Sequence, residues 1–369
     1  MSQKTQKVVG FSLALASAFF FGISNPLNKI FLVDLHPLAL SGWIYLMSGI
    51  ILSPSFKLSK KNDPFLKKDI KKLAIMILCG SVLAPLFVLW GLSMITAFQA
   101  SLFMNFEVIF TIIISYLIFR ERVGKKALIG IIIIIAILVS WSINFNFLGI
   151  LEAFSPGIVL ILLGCACWGV DKNVAQTLGE KSSMQTASIK GLVGGGISMI
   201  IAFIIQARVT ITLMQFSGIL LVSLLSFSIS IVMFLSALKY IGTINTAIAY
   251  SLAPFIGSIL SIFINRDAAN VVDFGVFFIA LAGILLIMKD KHEHYHEHEK
   301  LCHTHEIKED DVHHVDKNVL IEGYCKDTYK GGISHVHLPV THCHGHLHDL
   351  HHRHPHEREK GDEEGQEVT

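Results

Sequence analysis

The chain has 369 residues, 52% of them hydrophobic and 16% charged, with a mean hydropathy of +0.59. Soluble domains carry roughly 45–50% apolar and about 25% charged residues, so a large soluble enzyme, collagen, a coiled coil and a disordered chain are excluded for the bulk of it. The formal charge of +2 averages two unlike parts. Residues 1–290 hold 21 Lys and Arg against 11 Asp and Glu; residues 291–369 hold 9 against 17, with 18 of the 19 histidines.

A membrane helix needs roughly 20 mainly apolar residues to cross about 30 Å. Ten stretches qualify, at about 8–32, 37–56, 72–91, 97–119, 126–143, 156–178, 185–206, 214–237, 244–264 and 270–288. Lys4, Lys7 and Ala16-Ser17-Ala18 have the look of a cleavable signal peptide. The apolar run continues through Phe19-Phe20-Phe21 to Leu32, so the first span is expected to be retained. Runs this long are helices rather than strands of a lipid-facing barrel. The predicted fold is an all-α membrane protein of ten helices, followed by a largely disordered His-rich tail.

Basic residues sit on alternate loops. One side carries Lys4, Lys7, seven lysines between Lys57 and Lys72, Arg120, Arg122, Lys125, Lys126, Lys181, Lys239, Lys289 and Lys291. The other carries Lys29, Arg208 and Arg266. The positive-inside rule then places both termini and the tail in the cytoplasm and the chain in the cytoplasmic membrane. Cys79, Cys165 and Cys167 lie in apolar runs and read as small buried hydrophobes; the tail cysteines suit a reduced compartment.

Gly91–Ala97, Asn105–Phe110 and Phe119-Arg120-Glu121, read as a short small or polar turn, an apolar span and a basic-acidic pair, recur about 146 residues later as Leu238–Thr243, Leu252–Gly257 and Asn265-Arg266-Asp267. With five spans per half, the second half enters the membrane from the other side, an inverted repeat with a site between the halves. The boundaries are 8–150 and 151–290, with the acidic, His-rich tail at 291–369.

An ionisable group at mid-membrane costs at least about 2.5–3.5 kcal/mol on insertion scales, so it faces a cavity or a partner. Glu107 lies near the centre of the fourth span, with Thr111 and Ser115 along the same side. Asp171 and Asn173 lie deep in the sixth, where Gly164, Trp168 and Asp171 share a face. Lys190 stands early in the seventh, before Gly194-Gly195-Gly196. Glu107 and Asp171 are the candidate proton carriers or cation ligands, and Lys190 a counter-charge to either or an anion anchor. Lys172 is expected to snorkel to the cytoplasmic surface. Trp168, Trp90, Trp43 and Tyr250 are candidates for stacking a flat substrate, and Asn25-Pro26 for a kink or break. The expected cavity set is Glu107, Asp171, Asn173, Lys190, Thr111, Trp168 and Tyr250. Each also has a structural reading: a satisfied buried pair, or aromatic packing.

The ensemble resembles the drug/metabolite transporter superfamily of EamA type. The matching phrases are Ala16–Pro26, Phe119-Arg120-Glu121-Arg122, Cys167-Trp168-Gly169 and Ser251-Leu252-Ala253-Pro254-Phe255. The family pattern often has Pro mid-way along the fourth span; Glu107 stands there, while Pro254 keeps the place in the second half. The resemblance implies export or exchange of small metabolites, names no substrate, and does not extend to the tail.

The tail reads His292, His294, His296, His298, then His303 and His305, later His342, Cys343, His344, His346 and His348. Alternating imidazoles offer exchangeable ligand sets for Zn, Ni, Co or Cu rather than one fixed tetrahedral site. Two accounts follow: a secondary transporter of a small organic solute, or a divalent-metal transporter buffered by its tail. A non-transporting metal sensor fits paired halves poorly. No nucleophile–base set or phosphate-binding loop is present, so no enzyme and no required cofactor are expected. The implied partners are a small-molecule or ion substrate and the lipid bilayer; a homodimer is compatible, and no nucleic acid is implied.

Overall fold

The computed structural model of the protein describes residues 3–55, 67–119, 123–143, 155–177, 183–288, 292–297, 301–305, 333–337 and 341–346. Up to residue 288 all regular structure described is helical: α1 Gln3–Gly22, α2 Ser24–Phe31, α3 Pro37–Leu52, α4 Lys67–Met76, α5 Ala84–Met94, α6 Ala97–Phe103, α7 Phe106–Phe119, α8 Lys125–Ser142, α9 Pro156–Gln176, α10 Ser183–Ile204, α11 Leu213–Val222, α12 Ser230–Tyr250, α13 Ala253–Ile264 and α14 Val271–Met288. Among the described residues, eight stretches are long and apolar enough to cross a membrane: Thr5–Phe31, Asp69–Met94, Ala97–Ile118, Lys125–Ser142, Pro156–Ala175, Met184–Ile204, Leu213–Ala237 and Val271–Met288. Two shorter apolar helices, Pro37–Leu52 and Ala253–Ile264, fall where the second and ninth spans were expected.

The helix starts are written locally. Pro37 sits in the first turn of α3, and His36 accepts from the Leu38 N–H. Thr96 caps α6 by accepting from the Gln99 N–H, and Ser155 caps α9. Thr212 and Gln215 form a reciprocal capping box on α11. All four caps fall in connections that carry few Lys or Arg.

Two of the breaks follow from proline. Pro26 cannot donate to the Gly22 carbonyl, and the first span is interrupted at Ile23, between α1 and α2. The fourth span is interrupted at Met104–Asn105, which leaves Glu107 in the first turn of α7. The ninth is interrupted as well. Hydrogen bonding is helical throughout Ser230–Tyr250, with a break at Ser251–Leu252. The Tyr250 ring nevertheless lies 5.0 Å from that of Phe234, where sixteen residues of straight helix would span about 24 Å, so the chain folds back within this stretch, as the turn expected over Leu238–Thr243 requires. Pro254 explains the break at Ser251–Leu252, since a proline disfavours helix just before it.

Two seven-residue π-helical segments, Ile77–Leu83 and Ser223–Ile229, interrupt otherwise α-helical stretches. They lie about 146 residues apart, the offset of the sequence repeat. In the first, the N–H of Ala84 reaches back to the Cys79 carbonyl just before Pro85. In the second, the Ser228 hydroxyl donates to the Ser223 carbonyl. Such insertions expose carbonyls that a regular helix would satisfy.

Packing runs between two sets of helices, residues 3–142 and residues 156–288. α3 lies on α10, α1 on α12, α9 on α5 and α7, α13 on α6 and α1, and α14 on α8. Exchanging the two sets maps this pairing onto itself. The α3–α10 contact is backbone to backbone: a Cβ on Gly49 would stand 2.5 Å from the Leu192 nitrogen. Small residues let membrane helices approach this closely. Ser188 donates to the Gly49 carbonyl (2.8 Å) at the same crossing.

In the tail, β1 His292–Glu297 pairs antiparallel with β4 Thr341–His346, and β2 Leu301–His305 with β3 Ile333–His337. Alternation of His with Tyr, Thr and Val suits extended pairing. The side chains of the tail's proposed metal ligands lie outside the described residues.

Candidate functional site

Two ion pairs sit where α3, α7, α9, α10 and the first π segment converge. The Lys190 ammonium, from the second turn of α10, lies 2.6 Å from both carboxylate oxygens of Asp171 on α9. Lys172, the next residue on α9, pairs with Glu107 at the start of α7. Side-chain exposures are 12% for Asp171, 16% for Lys190, 14% for Glu107 and 47% for Lys172. Three of the four charges are therefore largely enclosed and one is open.

Each group is held for a physical reason. The π segment brings Gly80 against Asp171 so closely that a Cβ there would lie 2.3–2.6 Å from the carboxylate atoms. The Gly80 carbonyl accepts from the Trp168 indole N–H (3.2 Å) and the Tyr45 hydroxyl (3.3 Å). Two side chains thus use one backbone group of the irregular turn. Glu107 sits in the first turn of α7, where the helix dipole favours a carboxylate, and Thr111 donates to its carbonyl (2.7 Å). Asn173 donates to the carbonyls of Thr111 (3.0 Å) and Gly169 (2.8 Å), stapling α9 to α7.

A chain of rings borders the pairs. Tyr45 meets Phe227 at 5.5 Å, Phe227 meets Phe21 at 6.1 Å, Phe21 meets Tyr250 at 5.5 Å, and Tyr250 meets Phe234 at 5.0 Å. The Tyr45 and Tyr250 hydroxyls lie within electrostatic reach of Glu107. Phe227 comes from the second π segment, so both segments contribute to one place.

A second cavity, of about 600 Å³, opens toward the capped helix ends. Lys29, Gln99, Phe103, Trp141, Ser155 and Asp267 are among its lining residues. Lys29 donates to the carbonyls of Leu92 (2.6 Å), Ser93 (3.2 Å) and Ile95 (2.8 Å), closing the end of α5. Asp267 accepts from the Phe98 N–H (2.9 Å) at the start of α6. Phe103, in the cavity wall, stacks on Trp141 (6.0 Å) and on Phe106 (6.1 Å), the residue before Glu107.

Of the expected cavity residues, Glu107, Asp171, Lys190, Trp168, Thr111 and Asn173 are brought together, and Tyr250 borders them. Asn173 is 1% exposed and faces α7 rather than a cavity. Of the two partners considered for Lys190, the geometry selects Asp171. Lys172, expected at the cytoplasmic surface, pairs with Glu107 and keeps 47% of its side chain exposed. Trp43 donates to the Val209 carbonyl (3.0 Å) and Trp90 is 41% exposed beside His36, both away from the ion pairs. Tyr45 and Gly80 went unnoticed in the sequence. The available signal for Gly80 was a Gly-Ser pair five residues ahead of a proline in an apolar span.

Comparison with known proteins adds the family. A sequence profile described as the EamA-like transporter family matches residues 8–142 and 155–289. An uncharacterized transporter of Methanothermobacter thermautotrophicus is 27% identical over 297 residues, covering 76% of this chain and 87% of the other. A solved structure at 14% identity superposes with a TM-score of 0.53 over 77% of this chain and 96% of that one, a likeness of fold.

Proposed function

Because the chain belongs to the EamA-like transporter family, we propose that it is a secondary transporter that carries a small metabolite across the cytoplasmic membrane by proton-coupled alternating access. It is a multi-pass membrane transporter and not an enzyme. The observation that carries the proposal is the buried pair of ion pairs, Asp171–Lys190 and Glu107–Lys172, at a crossing that draws helices from both five-span sets. Ionisable groups are retained inside a membrane where they serve a substrate or a proton.

The chain crosses ten times as two inverted halves, α3 and α13 being the short second and ninth spans. The self-mapping helix pairing and the matched π segments support this arrangement. Ala237 and Ala249 both join a small cluster around Ala14; twelve residues on a straight helix span about 18 Å, so this supports a chain reversal between them. Both termini then face the cytoplasm. The open face of Lys172 is the cytoplasmic approach to the site, and the 600 Å³ cavity is the outer vestibule, shut off by Phe103. Interrupted helices near the site, at Met104–Asn105 and Ser251–Leu252, are what a site at the interface of two repeats requires.

Metal as cargo gains no support. Among the described residues no three His, Cys, Asp or Glu side chains converge, and both candidate carboxylates already hold ammonium groups. The tail is an accessory that takes up Zn, Ni, Co or Cu.

The test is a flux screen. Proteoliposomes loaded with a defined metabolite mixture are compared with empty-membrane controls under an imposed proton gradient. Gradient-dependent movement of at least one solute, absent in Asp171→Asn, is expected. Movement of no solute, or of divalent metal alone, would overturn the proposal.

A further inference from the structure

Among the four charges of the site, one differs from the rest. Lys172 is 47% exposed on its side chain, whereas its partner Glu107 is 14% exposed. Asp171 has no such freedom, since Lys190 contacts both of its oxygens at 2.6 Å and Gly80 closes its other side. One ammonium therefore faces an internal carboxylate on one side and open space on the other.

We propose that Lys172 is the substrate anchor, that the substrate is an organic carboxylate with an apolar, flat body, and that Glu107 is an internal stand-in for it, displaced and protonated when the substrate binds. The proposal rests on the transporter reading above and names its substrate class and coupling group.

The argument is one of charge. At rest the site holds two carboxylates and two ammonium groups and is neutral. An entering carboxylate finds only Lys172 accessible. If it takes that ammonium, Glu107 is left buried without its cation. The groups around Glu107 are the Lys172 ammonium, the Asp171–Lys190 pair, the Cys165 thiol and the hydroxyls of Tyr45 and Tyr250. Asp171 and Lys190 neutralise each other, and neither the thiol nor the two phenols carries positive charge. No second cation among them replaces Lys172. A buried carboxylate without a cation takes up a proton. The proton comes from water on the open side and bonds to a Glu107 oxygen. Anion and proton arrive together, one of each, and the site remains neutral. The ring series Tyr45, Phe227, Phe21 and Tyr250 supplies an apolar wall near Glu107, so an apolar body follows its carboxylate out of water.

Competition between Glu107 and the substrate also supplies the coupling. The loaded site is neutral only with the proton present, so a substrate without a proton leaves a charge in the membrane, which is disfavoured.

The experiment is titration calorimetry on the full-length purified protein, with benzoate, phenylacetate and indole-3-acetate as probes and their primary amides as controls. Each binding carboxylate is titrated in two buffers of different ionisation enthalpy near pH 7, which counts protons. At least one carboxylate is expected to bind at least ten-fold more tightly than its amide, with close to one proton taken up per anion. Lys172→Met is expected to lose the binding and Lys172→Arg to keep it. Glu107→Gln is expected to bind the same anion at least as tightly with no proton uptake, a signature that a merely structural Glu107 would not give. Circular dichroism and size-exclusion profiles establish that each variant is folded.

Binding without proton uptake in the unmodified protein, equal binding of amides, unchanged binding in Lys172→Met, or no binding by any carboxylate probe would each overturn the proposal. The flux screen separates its failure from that of the transporter reading. Proton-coupled flux of an uncharged or cationic solute would leave the transporter in place and remove the anion.

Discussion

Gly80→Ala is the substitution whose consequence the structure fixes most tightly. The added methyl would stand 2.3–2.6 Å from the Asp171 carboxylate atoms, where an ordinary contact begins near 3.4 Å. Either the carboxylate or the π segment must retreat by about 1 Å. Overpacking of this kind costs about 1–3 kcal/mol. Retreat of the carboxylate lengthens its 2.6 Å contacts with Lys190. At an effective dielectric constant near 20, an extra 1 Å weakens that attraction by about 2 kcal/mol. The expected destabilisation is therefore about 3–5 kcal/mol, with loss of transport. A double-mutant cycle isolates the cause. In an Asp171→Ser background the obstructing carboxylate is gone, and Gly80→Ala should then cost less than about 1 kcal/mol, a coupling of about 2–4 kcal/mol. Unfolding in mixed micelles titrated with SDS reads each corner. Costs that simply add, to within about 0.5 kcal/mol, would refute the close packing of Gly80 on Asp171.

Three further outcomes follow from the same geometry. Lys190→Met alone should destabilise by about 3–5 kcal/mol by leaving Asp171 unpaired, while Asp171→Leu with Lys190→Met should recover stability without recovering flux; thermal unfolding beside a flux assay reads both. Gly49→Leu should prevent α3 from closing on α10 and abolish the monodisperse protein, visible by size-exclusion chromatography. Removal of residues 291–369 should leave flux unchanged and abolish nickel or zinc uptake by the purified protein, read by metal titration; reduced flux would make the tail more than an accessory.

Much of the architecture is legible in the sequence because lipid enforces it. A long apolar run leaves helix as the open-membrane solution, and Pro26, Pro85 and Pro254 mark where helices depart from regularity. The break at Ser251–Leu252, inside the expected ninth span, shows the limit. Small and polar residues mark a turn at Leu238–Thr243, and proline imposes a further break nearby. At the site, the cost of burying charge identifies Glu107, Asp171 and Lys190 individually. It does not choose their partners, because pairing depends on helix rotation and depth. Lys172 was assigned to the interface by its distance from a helix end, yet its side chain is long enough to turn back to Glu107. Tyr45 and Gly80 carry no charge and no motif, and their roles depend on a π turn that a hydropathy pattern does not reveal. The repeat adds a reason for the asymmetry of the site. Under the offset of about 146 residues, Asp171-Lys172 corresponds to Asn25-Pro26 and Lys190 to Ile44, so the charges belong to one of two equivalent places.

Reaction of a single site residue from both faces of the membrane tests alternating access most directly. Thr111→Cys, in a background freed of other cysteines, would be exposed in sealed vesicles of either orientation to a membrane-impermeant thiol reagent. The account predicts labelling from each side, with cytoplasmic labelling suppressed by a transported solute. Labelling from one side alone, or only by lipid-soluble reagents, would contradict it.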